Sequence, residues 1–153
     1  MRSERQIICL AIGILIISIF SCKSSPAQEP SEEQKVKTML KIFYTNYINM
    51  NSGLNYNRTD SILSLYCTGK LIKYRNNLYS EPPGKVNSDI FLKSQMIDPK
   101  MLEHLEFGKS PYKDDLYYVY LEYGMWRWTV KLSVVKEKES YKINHVFIPR
   151  IDE

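Results

Sequence analysis

The sequence predicts an α+β domain in which N-terminal helices pack on a curved antiparallel β-sheet. Three observations predict it. Apolar side chains recur at three- and four-residue steps between Val36 and Met50. Beyond residue 115 that period falls to two. The segments with the shorter period are joined by links too short to hold crossover helices, so they must pair as an antiparallel meander.

The chain opens on a segment that belongs to neither layer. Arg2 and Arg5 precede an uncharged run over residues 7–20, the positive and apolar regions of a secretory signal. That run is too short to cross a bilayer, which takes about 20 apolar residues. Ile19-Phe20-Ser21-Cys22 resembles the lipobox of bacterial lipoproteins, with Phe20 in place of the usual small residue. The resemblance implies that Cys22 receives a diacylglyceryl group and that a further acyl chain on the new terminus anchors the protein to the membrane. It also implies the outer membrane rather than the inner, because Lys23 stands where an acidic residue would signal retention. The expected organisation is a signal peptide over residues 1–21, a flexible tether over 22–32 and one α+β domain over 33–149.

Each element of the domain follows from its own pattern. Ser31 and Gln34 have capping-box spacing. After them Val36, Met39, Leu40, Phe43, Tyr47 and Met50 fall within an arc about 100° wide, with Lys37, Lys41, Thr45 and Asn49 facing away. Residues 51–58 read as a loop. Thr59 or Asp60 caps a second helix carrying Ile62, Leu63, Leu65 and Tyr66, and Thr68-Gly69 breaks it before a third segment, "KLIKYRNNLY". The prolines of "EPPGK" (81–85) make a turn. Asp98-Pro99 has the cap-then-N1 signature of a short helical turn leading into "MLEHLEF". "LYYVYLEY" (116–123) then reads as a strand with two apolar faces. In "WRWTVKLSV" (126–134) the expected buried face is Trp126, Trp128, Val130, Leu132 and Val134. "YKINHVFI" (141–148) is the closing strand, reached through the polar turn "KEKES".

Composition excludes several function classes. The whole chain has a formal net charge of +4, and removing the leader with Arg2, Arg5 and Glu4 lowers it only to about +3. The basic residues are scattered, which gives nucleic acid no footprint. Of the three cysteines, Cys9 leaves with the leader and Cys22 is lipidated, so Cys67 has no intramolecular partner and reads as a buried inert thiol. No H-E-x-x-H or G-x-S-x-G motif occurs, and the six glycines are too dispersed for a phosphate loop. His104 and His145, even with Glu103 or Glu106, lack an obvious third ligand. Neither a metal nor any other cofactor is expected.

Helices followed by an aromatic-rich curved sheet resemble the cone-shaped nuclear transport factor 2-like superfamily, and within it uncharacterised lipoprotein domains of bacteria. The residues that carry the resemblance are "VKTMLKIFYTNYI" (36–48), "YCTGKL" (66–71), "DIFLKSQMID" (89–98) and the closing "YKINHVFI". In the related segment a Gln-Asp pair is common, whereas here Gln95 precedes Met96. The resemblance implies a cavity at the wide end of the cone, with Tyr47, Asp89, Gln95, Tyr118, Trp128 and His145 as candidate lining residues. Enzymes of the superfamily use a pocket Asp or His as general base, which singles out Asp89 and His145. Both also have a plain structural reading, Asp89 as a turn cap and His145 as a sheet residue.

The expected function is that of a membrane-anchored envelope lipoprotein whose domain binds a small molecule, glycan or protein without catalysis. A toxin-immunity protein and a pocket isomerase or dehydratase are the alternatives, since the fold is reused for all three.

Overall fold

Helix α1 begins where a hydroxyl is available to cap it. In the computed structural model, which describes residues 29–52, 59–80 and 88–148, Ser31 accepts a hydrogen bond from the backbone N–H of Gln34 at 3.2 Å and opens α1 (Glu32–Asn51). The leader, Cys22, most of the tether and the prolines of the 81–85 turn lie outside the described residues. Helix α2 spans Thr59–Tyr66 and α3 spans Gly69–Ser80. A 3-10 turn, Pro99–Leu102, is capped by the Asp98 carboxylate and precedes four strands: β1 (Glu106–Lys109), β2 (Leu116–Tyr123), β3 (Trp126–Glu137) and β4 (Ser140–Phe147).

The sheet is antiparallel throughout and its spatial order is β1-β2-β3-β4, the expected meander. β2 and β3 are joined by Gly124-Met125, with Gly124 at φ 61, the left-handed geometry that a two-residue hairpin demands. Val119 pairs with Val130, Tyr117 with Leu132, and Leu132 with Val146, so one apolar row crosses three strands and faces the helices. Between Ser133 and Val134 the register slips against β4. Asn144 is the extra residue, and the slip is what lets Val146 and Ile143, three apart, both point inward.

α1 lies across that row. It buries Val36, Leu40, Phe43, Tyr44, Tyr47 and Ile48, an arc about 140° wide rather than 100°. Tyr44 and Ile48 join the face while Met39 and Met50 are only half-buried, because α1 is covered on a second side by β1 and the 89–94 segment. Phe43 sits at the centre, its ring 5.2 Å from those of Tyr44 and Phe91 and 5.3 Å from that of Tyr47. Leu65, expected on the apolar face of α2, is exposed. Trp126 departs from its expected burial too: 74 % of it is in solvent, since the hairpin extends beyond the helical layer that covers Val130 and Leu132. β1 was not predicted as a strand. Its four residues are half polar, and only pairing with Tyr117–Tyr120 makes them one.

Thr68 both ends α2 and starts α3. Its hydroxyl accepts from Leu71 N–H and its backbone N–H donates to Ile143 on the margin of β4. Beside it Cys67 is 1 % exposed, a free thiol whose pKa burial pushes up to about 12. An inert thiol follows. Cys67→Ser should cost about 1–3 kcal/mol, the penalty for burying a hydroxyl, and thermal melts of the parent with and without reductant should coincide. A shift between the two melts would reveal a disulfide.

Candidate functional site

The segment 89–94 brings the site together, and the physical problem it solves is a set of backbone polar groups lying in an apolar interior. Asp89 folds the segment by accepting the N–H groups of Phe91 and Leu92 on Oδ1, at 2.9 and 3.0 Å. Lys93 N–H returns to the carbonyl of Asp89, and Asp89 N–H donates to the carbonyl of Ser94. Lys93 adopts φ 49 to close this loop. Four aromatic side chains supply the remaining partners. Tyr44 donates to the carbonyl of Phe91 at 3.0 Å, and Trp128 Nε1 donates to that of Leu92. Tyr79 accepts from Ile90 N–H, and Tyr47 donates to Asp89 Oδ2 at 2.5 Å.

Burial sets the protonation of this group. It raises the pKa of the Asp89 carboxyl, while the Tyr47 hydroxyl and the two backbone N–H groups, with Arg75 further off, pull the other way. Tyr47 is pushed far up by burial and by the adjacent carboxylate, so it stays protonated and donates. Tyr44 and Tyr79 also rise through burial. Asp89 therefore acts first as the cap of its own turn, with three donors already on its oxygens.

An open cleft of about 570 Å³ borders this turn. Tyr47, Asp89 and Gln95, three of the residues singled out in the sequence, line it together. The end of α1 contributes Asn51, which accepts from the Thr59 hydroxyl at 2.9 Å and donates to the carbonyl of Tyr47 at 2.7 Å. Arg75 and Tyr79 come from α3, with the guanidinium 5.0 Å above the tyrosine ring. Among the described residues Nε of Arg75 is buried without a hydrogen-bond partner. Sequence reasoning missed Arg75, Tyr79 and Asn51. Their four-residue spacing, Arg75 to Tyr79 on one helical face, was the available signal.

The other three candidates do not line the cleft, although Trp128 holds the turn beside it through Leu92. Trp128 lines a separate depression of about 430 Å³ with His104 and the Glu122–Arg127 ion pair, whose atoms are 2.6 Å apart. Tyr118 stacks on Tyr120 along the face of β2 turned away from α1, their centroids 6.4 Å apart. His145 meets the edge of Phe147 at 4.7 Å and faces Tyr74 of α3, and partial burial with Lys70 nearby lowers its pKa. Asp89 and His145 thus serve different surfaces. Among the described residues no group of three His, Cys, Asp or Glu is placed to hold a metal ion.

The hairpin arm is tied to the segment that follows the cleft residues. Met125 is 96 % exposed beside Trp126, and Tyr123 ties the arm to Asp98 at 3.2 Å. The segment that lines the cleft continues to Met96, half in solvent, and Lys93 reaches the carbonyl of Thr129 on β3 at 3.1 Å. Cleft mouth and hairpin are therefore linked through residues 92–98.

No protein-family model matches the sequence, and no curated protein does. Solved structures do match. A protein of unknown function from Bacteroides thetaiotaomicron is 20 % identical with a TM-score of 0.64, over 76 % of this chain and 91 % of that one. A chain of the type VI effector-immunity complex Tae3-Tai3 from Ralstonia pickettii is 22 % identical with a TM-score of 0.54, over 73 % of this chain and 94 % of that one. The native form of the same complex gives 21 % and 0.57, over 71 % and 90 %. What the chain has in common with all three is the α+β fold.

Proposed function

We propose that this protein is a non-catalytic binding module, held at the bacterial envelope by lipid on Cys22, that neutralises an effector protein by covering it. The observation that carries the reading is the Met125-Trp126 tip, two large apolar side chains in solvent at the end of a fully paired two-stranded arm. Tryptophan dominates binding energy at protein interfaces, and methionine adapts its shape to a partner. A stiff arm presents both at little entropic cost. Two further facts support binding over catalysis: Cys67 is an inert buried thiol, and the Asp89 oxygens are occupied by donors of the fold. The likeness to a chain of an effector-immunity complex fits the same reading. We also propose the nuclear transport factor 2-like cone as the superfamily of this α+β domain, on the resemblance of the 36–48, 66–71, 89–98 and 141–148 segments.

Co-production with the product of an adjoining effector gene tests this. Cells should survive the effector only when the present chain is made, and Trp126→Ala should weaken the purified complex by roughly thirtyfold, a loss of about 2 kcal/mol. Cys22→Ala should move the protein out of the membrane fraction and abolish protection in the envelope while leaving the complex intact in solution. Survival independent of this chain, or a complex indifferent to Trp126, overturns the binding reading; unchanged partitioning of Cys22→Ala overturns the anchor.

A further inference from the structure

The cleft beside Asp89 has a chemistry of its own, separate from the hairpin. Its volume, about 570 Å³, suits a small molecule rather than a protein segment. Its cation is Arg75, and among the described residues the Nε–H of that guanidinium is buried without an acceptor. Nη1 of the same guanidinium donates to the Asn76 amide oxygen at 3.3 Å, so the rest of the fork is what the cleft can offer to an anion. The planar fork of arginine matches a carboxylate or a phosphate. Asp60 and Asp89 line the same cleft, and their charges disfavour a dianionic phosphate more than a singly charged carboxylate. Of the remaining walls the Ser94 hydroxyl is engaged with Met96 and that of Thr59 with Asn51, which leaves the Gln95 amide and the second N–H and lone pair of the Asn51 amide to meet hydroxyls. Tyr79 is 41 % exposed and offers ring surface for an apolar face of C–H groups. One ligand class has a single carboxylate, several hydroxyls and an apolar ring face together.

The geometry points to the Arg75 cleft as a binding site for an acidic sugar, a pyranose bearing one carboxylate, with the carboxylate on the guanidinium and the hydroxyls on Asn51 and Gln95. This site does not depend on the protein-covering role, because none of its residues belongs to the hairpin. Asp89 contributes indirectly: by fixing the 89–94 turn it places Ser94 and Gln95 at the mouth.

Titration calorimetry of the full chain in detergent tests the site with three probes, D-glucuronate, D-glucose and acetate. Glucuronate should bind saturably and at least tenfold more tightly than either glucose or acetate. Arg75→Gln should bring glucuronate down to the level of glucose, and Gln95→Ala should weaken glucuronate and glucose by the same factor. Both variants should melt cooperatively like the parent, since neither side chain is hydrogen-bonded into the core. Trp126→Ala should leave glucuronate binding unchanged, which separates this site from the hairpin. Acetate binding as tightly as glucuronate would reduce the cleft to a simple anion site and overturn the sugar assignment. Glucuronate no tighter than glucose, or indifferent to Arg75→Gln, would overturn it equally.

Discussion

In Asp89→Ala the urea midpoint should fall by the equivalent of roughly 3–5 kcal/mol, because the Tyr47 hydroxyl and the N–H groups of Phe91 and Leu92 all lose their acceptor at once, at about 1–3 kcal/mol each with partial relaxation. That is a large share of the 5–15 kcal/mol typical of a domain. Asp89→Asn should cost less, about 1–2 kcal/mol, since its amide oxygen still accepts from the turn. The pair also carries a pH signature. The folded pKa of Asp89 lies above its unfolded value, so between the two the native state holds more protons than the unfolded chain. Stability then falls as pH rises through that window and levels off above it. Asp89→Asn removes the titrating group and should flatten that slope. An alanine variant as stable as the parent would mean that the turn is held by other contacts.

Phe43→Ala is expected to be as severe by a different route. The side chain is fully buried and touches Tyr44, Tyr47, Tyr66 and Phe91, so its removal leaves a void walled by rings that cannot collapse into it. Phe→Ala at such a site costs about 3–5 kcal/mol. Because Tyr47 and Phe91 border the same void, the loss should couple with that of Asp89, and the double variant should fall short of the sum. Additive losses in urea melts would show that the aromatic cluster and the turn are independent.

The helices and three of the strands were legible because each carries a local signal. Ser31 and Gln34 mark the start of α1, Asp98-Pro99 marks the 3-10 turn, and the alternation from Val130 to Val134 marks β3. β1 was not legible, since it exists through its partners in β2. Trp126 misled because alternation gives the side a residue points to and not how far the covering layer reaches. In the site, Tyr47, Asp89 and Gln95 were found through the 36–48 and 89–98 segments. Arg75 and Tyr79 were missed because a charged residue on an amphipathic helix looks like an ordinary solvated face until its neighbours are known. His145 and Asp89 were grouped by chemistry alone, and only the topology shows that they belong to different surfaces.

The contact of Thr68 with Ile143 has a bearing on how copies of the protein behave when they are crowded together. The outer margin of a sheet is a template on which a foreign strand can add, and long bare margins seed aggregates. Here Cys67 and Thr68 lie along β4 and occupy a backbone group of Ile143, while on the opposite margin β1 is only four residues long. Neighbouring molecules packed at high density are thereby offered little length for mutual zipping, and the crossover between α2 and α3 guards solubility as well as starting a helix.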